Sequence, residues 1–100
     1  MTKSTSSARF DELIHAPLRL RICASLAPVD WAVFTHLKQI LGVTDSVLSK
    51  HLKQLSDAGY VQVERFTKLG RSHMRVSLTT SGRRAYVGHA AALQEITVGK

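Results

Sequence analysis

One hundred residues and 11.0 kDa provide chain for one domain with a single modest core. Hydrophobic residues make up 44% and charged residues 21%, with 6 Gly and 2 Pro, which argues against a wholly disordered chain, a collagen-like repeat or a low-complexity tract. Fourteen Lys and Arg against seven Asp and Glu leave a net charge of +7 and a pI near 10.2, a field that attracts nucleic acid, an acidic membrane surface or an acidic partner.

A lone cysteine, Cys23, has no partner for an intramolecular disulfide and is too little for a structural zinc site, which suits a reducing cytoplasm. No apolar run approaches the roughly 20 residues of a membrane span. Met1 to Arg9 is rich in Ser and Thr and lacks the apolar segment of a secretory signal, so the expected location is cytoplasmic, with no membrane partner. Residues 1–9 show no apolar period and read as a flexible tail; residues 10–96 run without a linker or repeat and read as one domain.

Along that domain, Phe10, Leu13 and Ile14 recur at helical spacing and predict a first helix from about Ala8 to His15. Pro17 ends it and opens a second helix, which Pro28 stops; there Leu18, Ile22 and Leu26 form a stripe, and Arg19 is free to face solvent. Asp30 to Phe34 is too short for a helix and predicts a short strand or extended bridge. Thr35 is then expected to cap a short helix closed by Gly42. Thr44 is a strong N-cap for the next helix, Asp45 complements its dipole, and Gly59 stops it. Within it, Leu48, Leu52 and Leu55 form a core stripe, leaving Ser46, Ser49, Lys50 and Lys53 on the other side.

After Gly59 the period changes to two. Tyr60–Glu64 and Met74–Leu78 predict a β-hairpin with a basic tip carrying Lys68, Gly70 and Arg71, and a twist or bulge is expected at Arg65 and Phe66. Thr80 is expected to cap a last helix whose apolar face holds Tyr86, Ala90 and Leu93, flanked by His89 and Ile96.

Two helices joined at a glycine, the second polar on one side, followed by a basic hairpin, form the layout of an α+β winged helix-turn-helix. LRLRIC at 18–23, LGVTDSVLSKHLKQLSDAGYV at 41–61 and VSLTTSGRRA at 76–85 resemble the MarR/ArsR-type winged-helix transcriptional regulators. The resemblance spans Phe10 to Leu93. It implies a homodimeric regulator of transcription that binds double-stranded DNA, with the first and last helices at the dimer interface. The expected interface residues are Phe10, Leu13, Ile14, Tyr86, Ala90, Leu93 and Ile96.

The chemistry of the residues points the same way. An α-helix fits the major groove, and short side chains such as Ser46 and Ser49 permit close approach to it. Lys50 and Lys53 reach phosphates or guanine acceptors, and Gln54 has the groups to pair with adenine. Thr35, at a helix N-terminus, is placed to help donate to a phosphate, and Thr44, the cap of the next helix, is counted with the DNA-binding residues. Lys68 and Arg71 at the hairpin tip suit the minor groove, and Arg75 suits a backbone phosphate. Arg83 and Arg84 are expected to be solvated, and His51 is expected to bond within the domain.

The five histidines show no metal-ligand spacing, so no metal or other cofactor is expected. Cys23 reads as a small buried side chain. No phosphate loop, carboxylate pair or nucleophile motif supports an enzyme. An RNA-binding protein would show exposed aromatics, which the pattern does not suggest. The alternative reading is a winged-helix module for protein–protein assembly. Any small-molecule effector has to bind at the dimer interface or between helices.

Overall fold

The computed structural model describes residues 8–99; of the expected tail, residues 1–7 lie outside the described residues. The elements are α1 (Glu12–His15), α2 (Pro17–Leu26), β1 (Ala32–Val33), α3 (Phe34–Leu41), α4 (Asp45–Asp57), β2 (Val61–Lys68), β3 (Arg71–Leu78) and α5 (Thr80–Val98). The strands form one antiparallel sheet in the order β1-β3-β2. This is an α+β winged helix.

The first helix is shorter than the apolar period predicts. Asp11 is extended and caps α1, its carboxylate accepting from the Ile14 N–H at 2.9 Å. The backbone before it is committed to α5: Arg9 N–H donates to Gly88 O at 2.9 Å, and Asp11 N–H donates to His89 Nδ1 at 3.0 Å. The extended conformation of Asp11 (φ -125, ψ 111), held by its bond to α5, breaks any helix that would run back to Ala8. Pro17 occupies the first turn of α2, and Ala16 before it is held extended (ψ 133), as a residue preceding proline must be.

Thr35 does not cap α3. The chain enters that helix directly from β1, so the extended residue is Val33 and the helix begins at Phe34, whose ring is buried. Gly42 closes α3 in the left-handed conformation (φ 68), its N–H reaching Lys38 O at 2.9 Å. Thr44 caps α4 as expected, Oγ1 accepting from the Val47 N–H at 3.3 Å. Lys38 Nζ lies 2.7 Å from Asp45 Oδ1 and links α3 to the first turn of α4.

The hairpin is longer and more regular than its hydrophobic pattern predicts. Pairing runs unbroken from Val61↔Leu78 to Lys68↔Arg71, so there is no bulge at Arg65 and Phe66, which face Met74 and His73. Beyond Val63 the hairpin leaves the core, both faces meet solvent, and apolar alternation no longer reports the strand. Leu69 and Gly70 turn the chain with positive φ (53 and 75), the signature of a type I′ connection.

Thr79, one residue before the expected cap Thr80, caps α5: its Oγ1 accepts from Gly82 N–H at 2.9 Å and donates to Gly59 O at 2.6 Å. The core gathers Ile14, Ile22, Cys23, Leu26, Phe34, Leu37, Leu48, Leu52, Leu55, Val61 and Val76 from α1 to α4 and the two hairpin strands, with Ala85 and Tyr86 of α5 packed against it. Each large aliphatic group buried there is worth about 1.5–3 kcal/mol. Burial also removes Cys23 from solution chemistry and, with the nearby Asp11 carboxylate, pushes its thiol up to about 11.

Candidate nucleic-acid interface

Leu48, Leu52 and Leu55 anchor α4 on one side, which fixes the opposite side outward. Ser46, Ser49, Lys50, Lys53 and Gln54 are all exposed there. Thr44 is exposed beside Ser46, their hydroxyls 3.4 Å apart. Lys53 Nζ is 3.2 Å from Asp57 Oδ2, an exposed i,i+4 pair of little energetic weight that leaves the ammonium able to exchange partners. Thr35 is exposed in the first turn of α3.

Gln54 is less free than its exposure suggests. Arg19 donates from Nη1 to Gln54 Oε1 at 2.7 Å and to His51 Nδ1 at 3.1 Å, and from Nε to Leu13 O at 2.6 Å. Guanidinium only donates, so the amide oxygen of Gln54 points inward and its NH2 outward. A bidentate pair with adenine requires both groups, so that pairing requires breaking the Arg19 bond. Arg19, expected to face solvent, is instead a half-buried tie between α1, α2 and α4. Its role is invisible in a helical stripe because its partner lies 35 residues away. His51 bonds within the domain; burial, followed by the charges of Arg19 and Lys50, lowers its pKa and favours the neutral ring.

At the tip of the wing, Lys68 and Arg71 face each other across the turn and are both exposed. Among the described residues neither joins an ion pair. Arg75 is different. Its Nε lies 3.1 Å from Glu64 Oε1, and its guanidinium sits 5.4 Å from the Trp31 ring centre and 5.5 Å from that of Phe66. The expected phosphate contact is therefore already neutralised and sandwiched. Trp31 itself is 45% exposed, which corrects the expectation that exposed aromatics are lacking.

The residues expected at a dimer interface divide. Ile14 is fully buried inside the chain, and Leu13 and Tyr86 are half-buried against the same core, so Ile14 has no surface to offer a partner. Phe10, Ala90 and Ile96 are exposed, and Leu93 is half-buried. The inward side of α5 carries Gly82, Gly88, His89 and Ala92. Arg84 lines a cleft, whereas Arg83 donates to Ala27 O at 2.6 Å.

A cluster that periodicity did not single out joins the N-terminal segment to α5. His89, fully buried, accepts from Asp11 N–H on Nδ1, which places its proton on Nε2, 3.3 Å from His15 Nδ1. Tyr60 OH donates to Asp11 Oδ2 at 2.6 Å, a bond that raises the phenol's pKa. Beside this cluster, Arg9, Phe10, Asp11, Tyr60, Ser81 and Arg84 line an open cleft of about 780 Å³. Among the described residues, no group of three or more His, Cys, Asp or Glu is placed to hold a metal ion. None of their helices is long and apolar enough to cross a membrane.

The geometry is that of a DNA-binding winged helix, and the family comparison agrees: residues 18–97 match the winged helix DNA-binding domain, and the chain belongs to that family. The chain is 27% identical over 86 residues to the uncharacterized protein MJ0432 of Methanocaldococcus jannaschii, covering 86% of this chain and 94% of that protein. Its fold is similar to the structure of a transcriptional regulator homologue from Pyrococcus horikoshii OT3, with a TM-score of 0.84, 24% identity and coverage of 89% of this chain and 88% of that one.

Proposed function

We propose that the protein is a sequence-specific regulator of transcription of the MarR/ArsR-like type, cytoplasmic and non-catalytic, which binds double-stranded DNA as a homodimer. α4 enters the major groove, and the wing tip rests on the minor groove or backbone. The observation that carries this reading is the outward side of α4, Ser46, Ser49, Lys50 and Lys53, standing with the exposed pair Lys68 and Arg71 on a chain of net charge +7. Thr35 and Thr44 supply polar groups at the N-terminal turns of α3 and α4, where the helix dipole favours phosphate. Arg75, occupied by Glu64 and two rings, contributes to the wing's rigidity, and Gln54 presents its NH2. The homodimer is supported by the exposed side chains of Ala90 and Ile96 on α5, with Phe10 and Leu93 alongside. A small-molecule effector has a candidate seat in the cleft between Arg9, Tyr60 and Arg84.

The test is a titration of wild type and Arg71→Ala with an operator selected from random duplexes and with its scrambled form, at several salt concentrations. Arg71→Ala weakens both duplexes by similar factors and flattens the salt slope by about 0.9 per subunit. Ser49→Ala instead loses roughly 1–3 kcal/mol of discrimination at one base pair. Equal affinity of wild type and Arg71→Ala for both duplexes removes the wing from the interface. Absence of salt-dependent duplex binding transfers the fold to protein–protein assembly.

A further inference from the structure

The sheet has a second face of which duplex binding by α4 and the wing tip uses only the two cations at the turn. Val61, Val63, Val76 and Leu78 lie on the side toward the helices, and Val63 and Met74 line a small cleft with α4. The alternate pairs, Glu64↔Arg75, Phe66↔His73 and Lys68↔Arg71, therefore share the opposite side. Trp31, just before β1, joins them: its ring centre lies 6.0 Å from that of Phe66, and Phe66 stacks on His73 at 5.4 Å. From the turn toward β1, this side carries two exposed cations, then a phenyl and an imidazole ring, then a guanidinium, then a half-exposed indole. Glu64 holds the guanidinium in place between the rings, so the ladder is already ordered.

We propose that this outer face of the sheet is a binding site for single-stranded DNA, with an unpaired base stacked on the exposed side of Trp31 and the adjoining phosphates held by Lys68 and Arg71. Every base has a π-face, so aromatic platforms interleaved with cations take unpaired strands with little sequence preference. A duplex offers such a platform no open π-face, because its bases are stacked on one another. The two exposed cations at the turn give the face the charge that a phosphate backbone complements, and the single Glu64 carboxylate is spent on Arg75. An acidic peptide would meet the same cations but would leave the indole without a planar partner. The choice of DNA over RNA rests on the proposed duplex-binding function, which shares the wing tip.

Trp31 is the only tryptophan, so its emission reports the site directly. Wild-type protein is titrated with oligo-dT, with oligo-U and poly-glutamate of matched length, and with a fluorescent duplex in parallel. Oligo-dT is expected to quench Trp31 emission in a saturable, salt-sensitive manner. Trp31→Leu, checked by circular dichroism for an intact fold, binds labelled oligo-dT about tenfold more weakly and binds duplex unchanged, whereas Trp31→Phe keeps most of its single-strand affinity. Several results overturn the proposal: no quenching by oligo-dT, equal oligo-dT affinity in wild type and Trp31→Leu, equal or stronger quenching by poly-glutamate, or clearly tighter binding of oligo-U. Loss of duplex binding alone, with quenching by oligo-dT intact, defeats the duplex-binding function and leaves this site standing.

Discussion

Single polar atoms decide much in this fold. Arg19 ties a backbone carbonyl of α1 to two side chains of α4, and charge-assisted hydrogen bonds of this kind contribute about 1.5–3 kcal/mol each when net gains are counted. Partial exposure reduces that figure, so Arg19→Ala is expected to cost about 1–3 kcal/mol in urea unfolding. It also frees Gln54 to present both its oxygen and its NH2, and selection from random duplexes then gains weight for adenine at the base pair it meets. His89 sets a pH dependence whose sign follows from its surroundings. Burial, followed by the charge of His15, lowers its pKa against the weaker opposing pull of Asp11 and Glu12. The unfolded chain therefore binds this proton first. Its contribution to stability is complete above the ordinary histidine value near 6.5 and is lost as pH falls from there toward the depressed folded value. Denaturant midpoints measured from pH 8 to 5 should fall more steeply for wild type than for His89→Gln, which retains an acceptor but does not titrate.

At the level of elements, the start of α5 is locked against the start of β2. Tyr60 O accepts from Thr79 N–H at 3.0 Å, and a Cβ placed on Gly82 would overlap that same carbonyl. Backbone cannot yield as a side-chain tip can. Gly82→Ala is expected to destabilise the protein by about 1–3 kcal/mol or more and to lower its thermal midpoint, without altering any exposed charge. The elements were readable in the sequence wherever one face is buried and one is wet. Leu48, Leu52 and Leu55 with the Thr44 cap announce α4, and Gly42 announces the end of α3. Thr80 misleads because two adjacent threonines compete for one cap and Gly59 O selects Thr79. Thr35 misleads because strand pairing holds Val33 extended and the helix starts at Phe34 with no side-chain cap. The outer half of the hairpin was illegible to apolar periodicity, since it has no buried side. On the interface, the exposed serines and lysines of α4 were legible from phase alone. The occupation of Gln54 by Arg19 and of Arg75 by Glu64, Trp31 and Phe66 depends on partners distant in sequence or on neighbouring strands.

As a whole, the described molecule is elongated, 52 × 24 × 21 Å, and the 19-residue α5 contributes to that length. Its last turns carry Ile96 and Val98, each 65% exposed; among the large apolar side chains of the described residues only Leu69, at the wing turn, is more open to water. Covering them with a second copy is the expected outcome, and light scattering at micromolar concentration should return about twice 11.0 kDa. Ile96→Asp should shift that mass toward one chain. In a dimer, two copies of α4 spaced about 34–36 Å apart would meet successive major grooves on one side of a duplex, so the monomeric variant should lose affinity for an operator with two half-sites far more than for a single half-site.

The strand order β1-β3-β2 leaves β2 at the rim of the sheet, eight residues long, with no described strand along its outer side. An open row of amides on a regular strand is a template for adding further strands, and the unbroken pairing of this hairpin keeps that row straight enough to be copied. Glu64, Arg65 and Lys68 stand along it and discourage a second rim from docking. The wing's charges thus also guard solubility. Removing them together to abolish nucleic-acid binding would expose the strand to self-assembly, and the lost activity would then be accompanied by turbidity and thioflavin-positive fibres.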